Sequence, residues 1–133
     1  MPAVRNPQPR AGEQEAYRST WAPNHTELLE DYALISRSPG LHGSGEIMAL
    51  GGGSTEATWA AVEYVTQPLY ASELVRRVGL SGRNQLPRRY QVVIHVRFQR
   101  QIPAELTYVT HRLLEESLAS GEPRLVTPGK GAR

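Results

Sequence analysis

The stretch "YQVVIHVRF" alternates without a break. Tyr90, Val92, Ile94, Val96 and Phe98 fall on one side of a strand, and Gln91, Val93, His95 and Arg97 fall on the other. Such a run is stable only inside a sheet with one face covered, so "RRYQVVIHVRF" (88–98) constrains the fold more than any other feature. "QRQIPA" supplies a turn, and "ELTYVTHRLL" (105–114) returns as an antiparallel partner. That register brings Leu106 and Tyr108 to the core face. It leaves His95 and His111 together on the polar face with Arg97, Glu105 and Thr107.

Upstream, "DYALISRSP" (31–39) reads as a strand ended by Pro39-Gly40, "LHGSG" as a turn, and "EIMALGG" (46–52) as a second strand. A helix should open at Ser54 or Thr55 and end near Thr66, before Pro68. A second helix, "YASELVRRVG", takes Ser72 as its N-cap and stops at Gly79. The order β-β-α-α-β-β predicts a single α+β domain, a mostly antiparallel sheet with both helices on one face. On the first helix Ala57, Ala60, Ala61 and Tyr64 share the face that packs on the sheet. Trp59 and Glu63 lie opposite, either covered by another segment or forming an interface with a second subunit or a partner.

Residues 26–118 make the expected globular domain. Residues 1–25, with Pro2, Pro7, Pro9 and Pro23, read as a flexible arm with Tyr17 and Trp21 as docking points, and 119–133 as a flexible tail. No apolar run is long enough to span a membrane, and the N-terminus lacks the apolar core of a signal peptide, so a cytoplasmic location is expected.

Composition removes several chemistries. Without cysteine there are no disulfides, thiolate metal sites, iron–sulfur clusters or cysteine nucleophiles. The fifteen basic side chains include one lysine, Lys130 in the tail, so the domain has none for a Walker loop, Schiff base or lysine base. Basic residues are dispersed apart from Arg83, Arg88 and Arg89. "SELVRRVGLSGRNQLPRR" imitates a helix-turn-helix, but Pro87 and the strand behind it interrupt the recognition helix; nucleic-acid binding by this module is not expected. His25, His42, His95 and His111 lack ligand spacing, and no metal or other cofactor is expected.

"GGGSTEA" is the candidate site. Backbone N–H groups at a helix start, with the Ser54 and Thr55 hydroxyls, can hold an anion. Glu56 opposes an anion there, and a tight corner capped by Ser54, with glycines for its dihedrals, explains the same residues. As a nucleophile elbow the stretch matches only half of G-x-S-x-G, and its base would have to be His95 or His111.

Taken together, "EDYALISRSPG", "EIMALGGGSTEATWAAVEYVTQP" and "YQVVIHVRFQRQIPAELTYVTHRLLE" resemble an uncharacterised bacterial domain over about residues 29–115. That domain commonly follows a winged-helix or helix-turn-helix DNA-binding domain in regulator-like proteins. The resemblance implies a regulatory role and neither a catalytic activity nor a particular ligand. The 25 residues ahead of it are too short for a DNA-binding domain, so the expectation is a module that stands alone.

These readings weigh against an enzyme. They favour a small-ligand sensor or protein-interaction module of a bacterial regulatory system. Its candidate ligand-binding residues are Arg37, Gly51, Gly52, Gly53, Ser54 and Thr55, with Arg37 as counter-charge for a small anionic ligand. The alternatives are a structural domain that forms homo-oligomers through Trp59 and Glu63, and a serine hydrolase using Ser54.

Overall fold

The computed structural model describes residues 3–40, 42, 45–79 and 87–114. The expected tail 119–133 and the loop of the apparent helix-turn-helix lie outside them. The described residues form seven strands and two α-helices: β1 (Ala3–Arg5), β2 (Ala16–Arg18), β3 (Thr20–Trp21), β4 (Leu28–Pro39), β5 (Glu46–Gly52), α1 (Thr55–Thr66), α2 (Pro68–Val78), β6 (Tyr90–Gln99) and β7 (Ile102–Leu113). A single turn of 3-10 helix, Pro23–His25, links β3 to β4.

The fold is α+β with an antiparallel sheet. β4 and β6 are its central strands, and β7 pairs the far side of β6. The other edge of β4 is shared: β3 pairs it at Leu28 and Glu30, and β5 pairs it from Ala33 to Pro39. Tyr90, Val92, Ile94, Val96 and Phe98 are all buried, as the alternation requires. With Ala33 and Ile35 they form the floor on which the helices sit. Ala57, Ala60, Ala61 and Tyr64 meet that floor, and the three alanines let α1 lie close to the sheet. Each fully buried large side chain here contributes roughly 1.5–3 kcal/mol.

Three local details depart from the sequence reading. α2 starts at Pro68 with Gln67 as its N-cap, because proline is pre-set for the first helical position, where no N–H is needed. Ser72 is therefore interior, while Gly79 closes the helix as expected. The β6–β7 turn contains only Arg100 and Gln101, at φ 55° and 67°, the pattern of a type I′ hairpin; Ile102 and Pro103 already belong to β7.

The third departure matters most for the site. The β6–β7 register shifts between Val93 and Ile94, where Tyr108 and Thr110 pair consecutive residues of β6 and Val109 bulges out. A one-residue insertion sends every later side chain to the opposite face. Leu106 and Tyr108 keep the expected core face, but His111 now pairs with Val92 on that same face. Thr110 and Arg112 move to the outer face.

The arm expected over residues 1–25 also needs correction. Its described part carries β1, β2 and β3. β1 and β2 pair as Ala3 with Arg18, Val4 with Tyr17, and Arg5 with Ala16. Tyr17 is 3% exposed and rests on Tyr32, with ring centroids 5.0 Å apart. Trp21 packs against the core. The hairpin thus covers part of the outer sheet face, which sequence alternation alone would leave to solvent.

Candidate functional site

The glycine corner is a packed joint. A Cβ on Gly52 would stand 2.5 Å from the Ala57 Cβ, and one on Gly53 would stand 2.5 Å from Asp31 Oδ1. Gly51 has nothing within 4 Å. None of the three has a positive φ. Close approach, not unusual dihedrals, is what calls for glycine at 52 and 53.

The N–H groups of Gly52 and Gly53 are used internally. The Gly52 N–H donates to Thr58 Oγ1 at 2.9 Å, and the Gly53 N–H to the Tyr32 carbonyl at 3.2 Å. Ser54 caps α1: its Oγ accepts from the Ala57 N–H at 3.1 Å and donates to Asp31 Oδ2 at 2.7 Å. Asp31 is 1% exposed and also accepts from Ser19 Oγ at 2.9 Å and from the Tyr32 N–H at 2.8 Å. One buried carboxylate therefore ties the segment after β2, strand β4 and the start of α1 together. A buried acceptor with three donors is a well-satisfied structural group.

Of the predicted ligand set, Arg37 does not reach this corner. Arg37 pairs with Met48 in the β4–β5 ladder, four residues along from the Ala33–Gly52 pair, or about 13 Å at the rise of a strand. It bonds to Glu46 through Nε at 2.8 Å. Thr55 is exposed as the first residue of α1. Trp59 is 67% exposed, as the helical wheel predicted, and Glu63 is half-buried one turn further on.

The two histidines separate. His95 stays on the outer face, where Nε2 lies 2.9 Å from Glu30 Oε1 and its ring 5.0 Å from that of Tyr32. His111 Nδ1 lies 2.7 Å from the Tyr108 hydroxyl on the helix face, and the Arg77 guanidinium stands over the Tyr108 ring. Burial first, then Arg10 and Arg112, hold the His111 imidazole below its usual pKa. Ser54 bonds to Asp31 and Ala57, so the arrangement that a serine elbow needs is not assembled. Among the described residues no group of three or more histidine or acidic side chains could hold a metal ion.

A different site emerges beneath the N-terminal hairpin. The outer face carries two cross-strand rows, Leu34–Val93–Thr110 and Ser36–Gln91–Arg112. Val4 and Tyr17 roof them, and residues 5–8 close one side. Between floor and roof lies a half-open, mostly apolar cleft of about 360 Å³. That volume is within the range of small-ligand sites, about 300–1,000 Å³.

Its walls are held by Glu13. Glu13 Oε1 accepts from Asn6 Nδ2 at 3.0 Å, the Arg10 N–H at 2.9 Å and Arg112 Nη2 at 2.5 Å. Glu13 Oε2 accepts from Thr110 Oγ1 at 2.6 Å and Arg112 Nη1 at 3.2 Å. Arg112, followed by the Arg10 N–H, Thr110 and Asn6, holds this carboxyl well below the usual carboxylate range. Arg112 Nη2 also donates to the Gln8 carbonyl at 3.2 Å, which fixes the loop between β1 and β2 against β7.

Sequence reasoning missed this cleft. The available signals were Leu34 and Val93, apolar residues on a face otherwise polar, and the alternating Val4 and Tyr17 in the arm. No helix among the described residues is long and apolar enough to cross a membrane. No family model matches the chain, and neither curated proteins nor solved structures give a match.

Proposed function

We propose that this protein is a non-enzymatic binding module that takes a small ligand in the cleft between the β1–β2 hairpin and the outer sheet face. The single observation carrying this reading is the apolar floor of Leu34 and Val93 left open beneath a hairpin clamped at its rim by Glu13 and Arg112. A polar-rimmed apolar concavity on a rigid sheet is the usual form of a small-molecule site. The glycine corner then serves as the joint that fixes β5 and α1 to Asp31. A role as sensor in a bacterial regulatory system, suggested by the sequence resemblance, is compatible with a ligand whose binding alters how the hairpin sits.

The test is a broad small-molecule thermal-shift screen on wild type and on Val93→Phe, which fills the floor. Compounds that stabilise wild type and lose their effect in Val93→Phe support the reading. A screen whose hits are indifferent to Val93→Phe contradicts it.

A second reading rests on Trp59, which is exposed on the side of α1 turned away from the sheet. It makes the domain an oligomerising unit. Sedimentation of wild type against Trp59→Ala tests it, and a monomeric wild type excludes it.

A further inference from the structure

We propose that β5 is a dimerisation edge, which adds antiparallel to β5 of a second copy about a twofold axis at Ala49 and joins the two sheets into one. The proposal is independent of the cleft, and it puts self-association on a strand edge instead of on Trp59.

The hydrogen-bonding phase of β4 and β5 decides which backbone groups are free. The Gly40 N–H donates to the Gly45 carbonyl and the Gly53 N–H to the Tyr32 carbonyl, so the odd-numbered residues of β5 face β4. Met48 and Leu50 therefore direct their N–H and C=O groups away from the sheet, where no described strand pairs with them. The Gly52 N–H points the same way, but Thr58 Oγ1 accepts it and ends the open edge there. Val62 follows Thr58 by one turn on that flank of α1 and is exposed, so apolar surface continues beside the edge.

The opposite edge of the sheet is guarded. There β7 carries Pro103, the Val109 bulge and the charged Glu105 and Arg112. β5 has no proline, no bulge and no basic residue, and its Ile47 and Met48 are exposed.

A second copy fits because the strand is complementary to itself. With Ala49 opposite Ala49, Met48 of each copy exchanges both backbone hydrogen bonds with Leu50 of the other. Their side chains meet on the helix face, while on the outer face Ile47 meets Gly51, where no side chain stands. Glu46 is the one charge on the strand and is bonded to Arg37 of its own copy. This register keeps it about 20 Å along the strand from its counterpart. An axis at Met48 would set Leu50 against Glu46, and one at Leu50 would need the occupied Gly52 N–H.

The chain has no cysteine, so single cysteines in the full chain report the register. Ala49→Cys sets two thiols at a non-hydrogen-bonded pair, with Cα atoms about 4.5 Å apart and within disulfide reach. Ile47→Cys sets them about 14 Å apart. Under mild oxidation the first variant should cross-link at least about tenfold faster than the second. Wild type and Trp59→Ala should sediment as dimers in the micromolar range, and Met48→Pro, which removes only an outward N–H, as a monomer. If Met48→Pro loses its far-UV circular dichroism, Met48→Lys takes its place in the comparison. Equal, slow cross-linking of the two cysteine variants overturns the proposal. A monomeric wild type also overturns it, leaving the edge to another segment of the chain or to a foreign strand. So does a dimer that Trp59→Ala dissociates and the Met48 variant leaves intact. The cleft reading stands or falls separately, on the Val93→Phe screen.

Discussion

Glu13 and Arg112, 99 positions apart in the sequence, meet in a clamp in which both carboxylate oxygens engage the guanidinium. The contact converts a proline-bearing N-terminal segment into one wall of a cleft. It also sets how the protein should respond to acid. The Glu13 carboxyl has a folded pKa below its unfolded value of about 4.3, so its contribution is present above that value. The contribution is lost as pH falls from about 4.3 towards the lower folded value. Urea unfolding of wild type and Glu13→Gln should differ at pH 7 and converge progressively below about pH 4.3. Curves separated equally at every pH would show that the carboxylate charge is not what matters.

His111 acts in a higher window. Its folded pKa lies below the unfolded value of about 6.5, so the fold favours the neutral ring. Stability is complete above about pH 6.5 and declines as pH falls from there towards the folded value. An NMR titration of the His111 ring should give a midpoint below 6.5, and Arg112→Met should raise it by removing a nearby positive charge. A midpoint at or above the free value would contradict the burial of His111 on the helix face.

The three glycines should separate in a denaturation series. Gly52→Ala and Gly53→Ala each place a methyl 2.5 Å from an occupied atom and should cost about 1–3 kcal/mol. Gly51→Ala meets open space and should change stability by less than about 0.5 kcal/mol. Equal effects at all three positions would exclude the close-packed joint.

Asp31→Asn should be destabilising by about 1–3 kcal/mol, because one acceptor becomes a donor among groups that need an acceptor. Ser54→Ala removes the helix cap and one of these bonds, at a cost of about 1 kcal/mol. The two substitutions share a hydrogen bond, so the double mutant should cost less than their sum. Strict additivity in chemical denaturation would show that the bond contributes little.

Much of the fold was legible because its signals are local. The alternation from Tyr90 to Phe98, the Ser54 cap and the small face of α1 each declare themselves within a few residues. The cleft was hidden because its determinants are not local. β1 and β2 are three residues each, too short for alternation to stand out, and they are held by a partner at the other end of the chain. The Val109 bulge leaves no mark in residue type, yet it moves Arg112 to the outer face and His111 away from His95. The glycine run drew attention to a corner where the Gly52 and Gly53 N–H groups are internally bonded, while Val93, on the cleft floor, was the quieter clue.

The most direct test maps the site on labelled protein, with the compound giving the largest thermal shift as ligand. The expected result is movement of the Val4, Leu34 and Val93 methyl signals, with the amides of Gly52 to Glu56 unchanged. Movement of the corner amides with the three methyls still would return the site to the glycine loop and contradict the cleft as the binding site.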